Sequence, residues 1–280
     1  MGASVKALKI RIKSVKSTEH ITRAMQLVAS SKLRRATERM ERSRSYFETM
    51  QDLFSKIAEK SGDIESVYYQ PKPCKKTCVI VIAGDRGLAG GYNNNVINLA
   101  RSLCNDCEAE ILPIGKKSHE YFLKKGYPLF DSALYTVDDI TLDQCEALAK
   151  QVEKAYVSGR FDRVLLVYTH FVNMLSQTPE ALQILPLSKP SVESSDRSFT
   201  LYEPSPSEVL GAIVPEYVSG LLYCGIGESA ASEQAARRNA MDSATKNADE
   251  MIEKLSLQYN RARQGAITQE ITEIVAGSEQ

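Results

Sequence analysis

Residues 3–61 contain neither glycine nor proline, and this uninterrupted stretch limits what the chain can fold into. Alanine, lysine, arginine, glutamate, methionine and leucine dominate it, and these residues favour α-helix. The pattern predicts one helix roughly 85 Å long. Its second half has apolar residues at alternating three- and four-residue steps, as in a coiled-coil seam. Before this seam, apolar residues recur at Val5, Leu8, Ile12 and Val15 and then shift phase through Ile21, Met25 and Val28. The predicted seam itself, interrupted only by Ser43, comprises Leu33, Ala36, Met40, Ser43, Phe47, Met50, Phe54 and Ile57.

A domain of this size is about 30–40 Å across, so such a helix must project from it and needs a partner for its apolar seam. Residues 216–276 also lack proline and offer that partner. Because the chain leaves the first helix and later returns, we expect an antiparallel pair. A coiled-coil arm for dimerisation is the alternative. The second predicted seam comprises Met241, Ala244, Ala248, Met251 and Leu255, continued less regularly by Tyr259, Ala262, Ile267, Ile271 and Ile274.

The middle of the chain has the pattern of a small α/β domain. Residues 77–83 form a β-branched run typical of a strand buried on both faces, and residues 110–114 and 163–168 are further strand candidates. Helical segments at 116–125 and 142–158 alternate with them, which predicts a Rossmann-like parallel sheet. We therefore expect three parts: residues 1–61 and 207–280 as coiled-coil helices, and residues 75–200 as the α/β domain. Gly220, Gly225 and Gly227 leave open where the last helix starts.

The glycine-rich turn at Gly84–Gly91 invites comparison with phosphate-binding loops. It lacks the Gly-Lys-Ser/Thr ending of a P-loop and does not fit G-x-G-x-x-G, so we interpret it as a tight turn or a protein contact. The pairs Cys74/Cys78 and Cys104/Cys107 only loosely imitate a zinc ribbon. We expect no bound cofactor, no metal and no independent catalysis.

Charge is distributed unevenly, although the formal net charge is zero. Residues 1–60 carry 14 Lys/Arg and 6 Asp/Glu, a net charge of +8, whereas residues 205–280 carry 6 and 11, a net charge of −5. The longest charge-free run, Val164–Pro179, is shorter than the ~20 apolar residues that cross a bilayer. We therefore expect membrane association only through a protein partner.

Three stretches carry a resemblance to a known family. They are Ile21–Ala36 (ITRAMQLVASSKLRRA), Asp85–Asn95 (DRGLAGGYNNN), and the region from Ala231 (ASEQAAR) through Arg261–Gly277 (RARQGAITQEITEIVAG). Together, in this order, they resemble the gamma subunit of bacterial F-type ATP synthases across nearly the whole chain. Leu222–Glu228 departs from the family pattern, because two glycines stand where the family is usually helical. The long regulatory insert with a dithiol, typical of chloroplast members, is absent from this sequence.

The resemblance implies a non-catalytic rotor shaft. The helix pair would enter a ring of three alpha and three beta subunits, and the α/β domain would lie against epsilon and the membrane-embedded c-ring. Rotation would couple ion flow to ATP synthesis or hydrolysis and so regulate both. The implied location is peripheral, on the cytoplasmic side of the cell membrane.

The resemblance also implies roles for individual residues. Arg263, Gln264 and Thr268 match a catch that hydrogen-bonds a beta-subunit loop, and Arg23 with Met25 matches a coupling contact with the acidic beta-subunit loop. Tyr202 and Glu203 match residues that rest on the c-ring. Seam packing for Met25, a solvated charge for Arg263 and an ordinary turn for Glu203 are the alternatives.

Two other function classes compete with a rotor shaft. The basic first helix would suit an RNA-binding protein, but no aromatic residues are interleaved with its charges before Tyr46 and Phe47, so it lacks a stacking platform. The α/β domain would suit a nucleotide-dependent enzyme. Salt-dependent RNA binding would support the first alternative, and nucleotide binding by the isolated chain would support the second.

Overall fold

The computed structural model describes residues 5–60, 67–69, 73, 75–105, 107–187 and 206–278. The chain divides into two compact units: the described parts of Met1–Ser30 and Arg237–Gln280, and the described part of Ser31–Ala236. The elements are α1 (Val5–Lys60), β1 (Lys76–Ile82), α2 (Tyr92–Cys104), β2 (Glu108–Ile114), α3 (Lys116–Lys125), α4 (Leu142–Val157), β3 (Arg163–Phe171), β4 (Gln177–Leu185) and α5 (Pro206–Ser278).

The second unit is built on a four-stranded sheet in the order β2-β1-β3-β4. Strand β1 pairs in parallel with β2 and with β3, with Ile80 opposite Leu112 on one side and Leu166 on the other. The three parallel strands and helices α3 and α4 confirm the predicted alternation of strand and helix.

The strand β4 was not predicted, and it adds an antiparallel edge to the predicted parallel sheet. It runs antiparallel to β3 at the edge of the sheet, with Pro179 opposite Thr169. A proline in a run of residues argues against a central strand, but an edge strand tolerates it because one side of its backbone has no strand to bond. The sequence of β4 therefore lacks the continuous apolar run that marks β1.

Helices cover both faces of the sheet and explain why β1 is apolar at successive positions. Cys78, Ile80 and Ile82 pack with α4 and α5 in one core layer. Val79 and Val81 pack with α2 and α3 in the other. A strand that is buried on both faces needs no polar alternation, which is the pattern from which β1 was predicted.

The opening turns of α5 are helical throughout, including all three glycines that left the start of this helix open. A Cβ on Gly225 would lie 3.1 Å from Leu166 Cδ2 and 3.3 Å from Ile82 Cδ1, so glycine allows the helix backbone to approach the sheet closely. Apolar residues on the same face are buried in the core, among them Leu210, Val214, Val218, Leu222 and Ile226.

By length and composition, one 18-residue window within Glu208–Val275 is also apolar enough to cross a membrane. Half of that window is buried inside the protein, however. Burial inside the protein therefore accounts for much of its apolar composition, and the window gives no reason to place the helix in a bilayer.

In the first unit, α1 and α5 pair antiparallel. Thr22 contacts Thr245 and Gln26 contacts Asp242, so residue numbers rise along α1 while those of the contacting residues fall along α5. The α1 side of this seam follows four- and three-residue steps without the expected phase shift, because polar residues occupy part of it. Its buried or half-buried positions are Leu8, Ile12, Val15, Glu19, Thr22, Gln26 and Ala29.

The predicted seam is wrong at several apolar positions. Ile21 and Val28 are mostly exposed on α1. On α5, Met251 is 45% exposed, and the half-buried Ile252 takes its place in the seam. The α5 seam runs through Met241, Thr245, Ala248, Ile252, Leu255, Tyr259, Ala262 and Ala266.

A short seam also joins the two helices within the second unit. Leu33 and Met40 of α1 pack against Ala231 and Ala235 of α5, and Phe171 of β3 packs beside them. For the predicted seam positions from Ser43 to Ile57, the structure does not describe the side chains.

Two of the glycines with positive φ, Gly115 and Gly126, should differ in how much a substitution costs. The φ of Gly115 is +93°, and a Cβ there would lie 1.8 Å from the carbonyl oxygen of Ala83. Gly126 has φ +73° but nothing within 4 Å of the added Cβ. We expect Gly126→Ala to cost about 1–2 kcal/mol of unfolding free energy and Gly115→Ala at least twice as much. Urea unfolding followed by circular dichroism tests this, and equal losses would contradict it.

The corrected seam is testable with two adjacent residues. Because Ile252 packs in the seam, we expect Ile252→Ala to lower the unfolding free energy by about 1–2 kcal/mol. Met251→Ala serves as the matched control and should cost about 0.5 kcal/mol or less, as surface substitutions do. Urea midpoints of the helical signal distinguish them, and a larger loss for Met251→Ala would support the seam predicted from sequence instead.

Candidate functional site

Five of the seven residues assigned by resemblance lie in the first unit. Arg23 and Met25 are on α1, and Arg263, Gln264 and Thr268 are on α5. Tyr202 and Glu203 lie outside the described residues.

Arg23 is held at the surface of the helix pair by two carboxylates. Its Nη2 lies 2.7 Å from Oε1 of Glu19, one turn earlier, and 3.8 Å from Oδ2 of Asp249 on α5. The Glu19 side chain is only 7% exposed, whereas that of Arg23 is 56% exposed. The buried carboxylate therefore orients a guanidinium that still reaches solvent, and such an oriented cation can contact a further acidic group.

A polar layer beside Arg23 fixes how the two helices align. The hydroxyls of Thr22 and Thr245 lie 2.8 Å apart, and Gln26 Nε2 donates to Asp242 Oδ1 at 2.9 Å. A hydrogen bond from Lys246 is the main cause that lowers the pKa of Asp242, and Gln26 contributes. Buried polar pairs in a helical seam specify register, because sliding the helices would leave them unpaired. Sequence reasoning missed this layer because every seam position before Leu33 was chosen by its apolar character.

Met25 is half-buried and lies one residue before Gln26 of the polar layer. It is therefore at the border of the seam, neither fully packed in it nor fully exposed. Leu27, two residues further on, is 68% exposed on a different side of the helix.

Arg263, Gln264 and Thr268 are all exposed on α5. Thr268 Oγ1 donates to the backbone carbonyl of Gln264 at 3.0 Å, and one turn of helix brings these two side chains onto the same face. Arg263 precedes Gln264 by about 100° around the helix axis. This group lies roughly 21 Å along α5 from Asp249, the α5 residue that pairs with Arg23. The structure therefore contains two separate candidate contacts rather than one cluster.

An apolar stripe follows this group and was not predicted as a contact surface. We define the C-terminal stripe as Ile267, Ile271, Ile274 and Val275, which are 46%, 55%, 71% and 53% exposed. The sequence indicated that Ile267, Ile271 and Ile274 would pack in the seam, and their exposure shows that this was wrong. Large exposed apolar patches mark surfaces that other molecules cover.

The glycine-rich turn after β1 is a structural junction. Asp85 accepts hydrogen bonds from the backbone N–H of Lys116, at 2.9 Å, and of Asp138, at 3.2 Å. Asn93 Oδ1 accepts from the backbone N–H of Gly84 at 2.8 Å, while its Nδ2 donates to the carbonyl of Arg86. These residues tie together β1, the start of α3 and the segment before α4. The polar groups of the turn are engaged in holding the fold.

Cysteines do not assemble a metal site in the part of the chain that the structure describes, which contains no group of three or more metal-ligating side chains. Burial is the main cause that raises the pKa of Cys104 to about 11, with Cys107 adding to it. Cys74, the remaining member of the predicted pairs, lies outside the described residues.

Solved structures place this architecture in a class. The chain matches a chain in the structure of the Tetrahymena thermophila mitochondrial ATP synthase central stalk and c-ring, with 25% identity, a TM-score of 0.61 and coverage of 80% of this chain and 99% of that one. A chain of the Euglena gracilis mitochondrial ATP synthase shares the fold at a TM-score of 0.71 with 17% identity, covering 99% and 94%. The class is the central-stalk proteins of rotary ATP synthases.

Sequence relatives give the family. The ATP synthase gamma chain of Ruminococcus albus is 49% identical, covering 99% of this chain and 98% of the relative. The sodium-ion-specific gamma chain of Acetobacterium woodii is 41% identical, covering 100% and 99%. The sequence profile described as ATP synthase matches residues 4–280. The chain belongs to the ATP synthase gamma-chain family, whose members are the rotor shaft of this membrane-associated complex.

Proposed function

We propose that this chain is a non-catalytic shaft that couples rotation of a membrane-embedded c-ring to ATP synthesis or hydrolysis in a ring of alpha and beta subunits. The observation that carries the proposal is the helix pair of the first unit together with the exposed C-terminal stripe. A helix pair can bear torque, and an exposed stripe requires a surrounding protein.

The seam of the first unit suits a load-bearing shaft. Small residues such as Ala29 and Ala248 are buried in it, which lets the helix axes approach closely. The Thr22–Thr245 and Gln26–Asp242 contacts oppose sliding of one helix along the other. Torque applied to one helix is therefore shared by its partner.

The C-terminal stripe supports insertion into the alpha/beta ring. Four branched side chains are about half or more exposed over nine residues of α5. Their exposure to water is unfavourable by ~25 cal/mol for each Å² of apolar surface, so covering them favours assembly. An apolar lining in the ring would meet this need and would let the stripe turn, because apolar contacts have little directionality.

The basic face of α1 supports a contact with acidic stator loops. Residues 5–30 carry six Lys/Arg and one Glu. Arg23 is the cation whose orientation is fixed by buried Glu19, and Met25 lies beside the same seam. In this proposal the acidic loop of each beta subunit meets this region in turn. Because the shaft is asymmetric, each beta subunit experiences a different contact and favours a different nucleotide-binding state.

Further along α5, the catch would form with a beta-subunit loop. Arg263 has a multi-donor guanidinium that suits a carboxylate, and Gln264 and Thr268 add polar groups on the neighbouring face. All three side chains are exposed and so accessible to a partner. The catch would form and break once per passage of each beta subunit.

We also propose that Tyr202 and Glu203 rest on the c-ring and that the α/β domain contacts epsilon. This arrangement makes the chain a peripheral component on the cytoplasmic side of the cell membrane. Proteins solved together with a c-ring are similar to this chain, which supports the assignment. The nucleotide chemistry would belong to the alpha and beta subunits.

Loss of the catch should slow the assembled complex. Removing one charge-assisted hydrogen bond of ~1.5–3 kcal/mol corresponds to roughly a tenfold or larger change in rate if the bond forms at a rate-limiting step. We expect Arg263→Ala and Gln264→Ala to lower ATPase turnover while α5 stays helical. Arg261→Ala is the matched control, because Arg261 is exposed about 200° around the helix from Arg263. Wild-type turnover in both catch variants would exclude this role.

A lysine at position 25 should uncouple rotation from ion pumping. Met25 is half-buried beside the seam, so a longer cationic side chain can extend its ammonium to the surface and pair with the acidic loop. An added, partly desolvated ion pair would hold one rotational state too tightly. We expect Met25→Lys to retain most ATP hydrolysis and to lose severalfold in ATP-driven ion pumping in membrane vesicles.

The matched control is Leu27→Lys, which adds the same charge at a position already 68% exposed on another side of α1. This control should retain normal pumping per ATP hydrolysed. Equal pumping in the two variants, or failure of Met25→Lys to assemble, would argue against the coupling contact.

A further inference from the structure

The second unit contains a cavity of about 320 Å³ that the rotor function does not use. We call it the α1–α5 cavity. Its volume is at the lower end of the range of small-molecule sites in proteins. Residues from α1, from α5 and from the segment before α4 line it, notably Lys32, Arg35, Arg39, Asp138, Gly227 and Gln234.

The cavity is cationic. Lys32, Arg35 and Arg39 follow one another at three- and four-residue steps and so lie on one face of α1. The single acidic residue of the lining, Asp138, lies 3.4 Å from Lys32 Nζ and offsets one of these charges. Counting three cations and one carboxylate leaves a net charge of +2, which favours a multiply charged anion.

The side chain of Arg39, one of the three cations, is held in place by Tyr223. Arg39 Nε donates to the hydroxyl of Tyr223 at 3.0 Å, and its guanidinium lies 4.7 Å from the centre of that ring. A preoriented guanidinium loses less conformational freedom when it binds an anion. Arg35, by contrast, is exposed at the mouth of the cavity.

At the inner wall, Gln234 provides a second and independent sign of a missing ligand. The residue is 6% exposed, lines the cavity, and its Oε1 has no hydrogen-bond partner among the described residues. A buried carbonyl oxygen without a donor costs free energy and requires an explanation. Rotation about the last side-chain bond exchanges the two ends of the amide, so this side chain can present its N–H donors to an anion.

Small residues keep the space open. Ala36 on α1 faces Gly227 and Ala230 on α5 across the cavity, and these positions add little side-chain volume. Larger side chains at these places would fill the cavity, as Leu33 and Met40 fill the seam on either side.

We propose that the α1–α5 cavity binds a phosphate group, as inorganic phosphate or as the phosphate of a small ester. Two arginines, one lysine and one glutamine line it, and guanidinium groups recognise the several oxygens of phosphate by paired hydrogen bonds. A simple halide would use the charge but would not satisfy the buried amide with the same geometry. Binding would bridge α1 and α5 within the second unit.

Equilibrium dialysis of radiolabelled inorganic phosphate against the purified full chain, at constant ionic strength in chloride, tests this. We expect saturable binding of one phosphate per chain. Arg35→Gln should weaken it by about tenfold or more, because one charge-assisted contact is lost. Arg34→Gln is the matched control, since Arg34 is the adjacent exposed arginine and lies near Glu38, outside the cavity.

Gln234→Leu provides the second variant, and circular dichroism verifies that each protein is folded. It should also weaken phosphate binding, since the donor at the inner wall is removed. If Gln234→Leu fails to fold, the comparison of Arg35→Gln with Arg34→Gln still decides the proposal.

Competition by glycerol 3-phosphate, ADP and succinate separates the sources of the anion. Displacement by either phosphate ester supports a phosphate site and shows that it accepts an ester. Displacement by succinate as effective as that by phosphate would overturn the proposal in favour of a carboxylate site, such as one for an acidic segment of a partner. Absence of saturable phosphate binding, or equal losses in Arg34→Gln and Arg35→Gln, would also overturn it.

Discussion

Close packing of α5 on the central sheet is the constraint on which the rest of the molecule depends. Gly225 brings the helix backbone against Leu166 and Ile82, so close that even a Cβ would require their side chains to shift. The same helix continues to Ser278 and supplies one half of the seam in the first unit. The helix therefore contributes both to the core of the second unit and to the seam of the first.

Polar residues in the seam complement this anchoring. Glu19, Thr22 and Gln26 occupy positions where apolar residues would give more burial, but they fix the register of α1 against α5 and orient Arg23. Specificity of alignment is thus obtained at some expense of stability, as in other coiled coils with buried polar positions. For a shaft this exchange is useful, because slippage would waste rotation.

The sequence predicted elements whose signal is local and strong. The strands predicted from continuous apolar runs and the helix predicted from the stretch without glycine or proline were correct. Burial on both faces and helix propensity each restrict which residues can follow one another in sequence. The strand β4 was not predicted because Pro179 and exposed polar residues suit only an edge strand. Whether a strand lies at the edge depends on neighbouring strands that are distant in sequence. The choice of Ile252 over Met251 depends on the exact rotation of the helix, and apolar composition alone does not determine it. The positions of Arg23, Met25 and Arg263 came from resemblance, whereas their exposure and partners required coordinates.

The C-terminal stripe has a consequence for the life of the protein before assembly. A newly made chain exposes Ile267, Ile271, Ile274 and Val275 until a partner covers them. Exposed branched side chains of this kind attract chaperones and other unassembled chains, and they promote aggregation as concentration rises. Synthesis of this subunit must therefore be matched to that of its ring, and surplus copies become natural targets for proteolytic quality control.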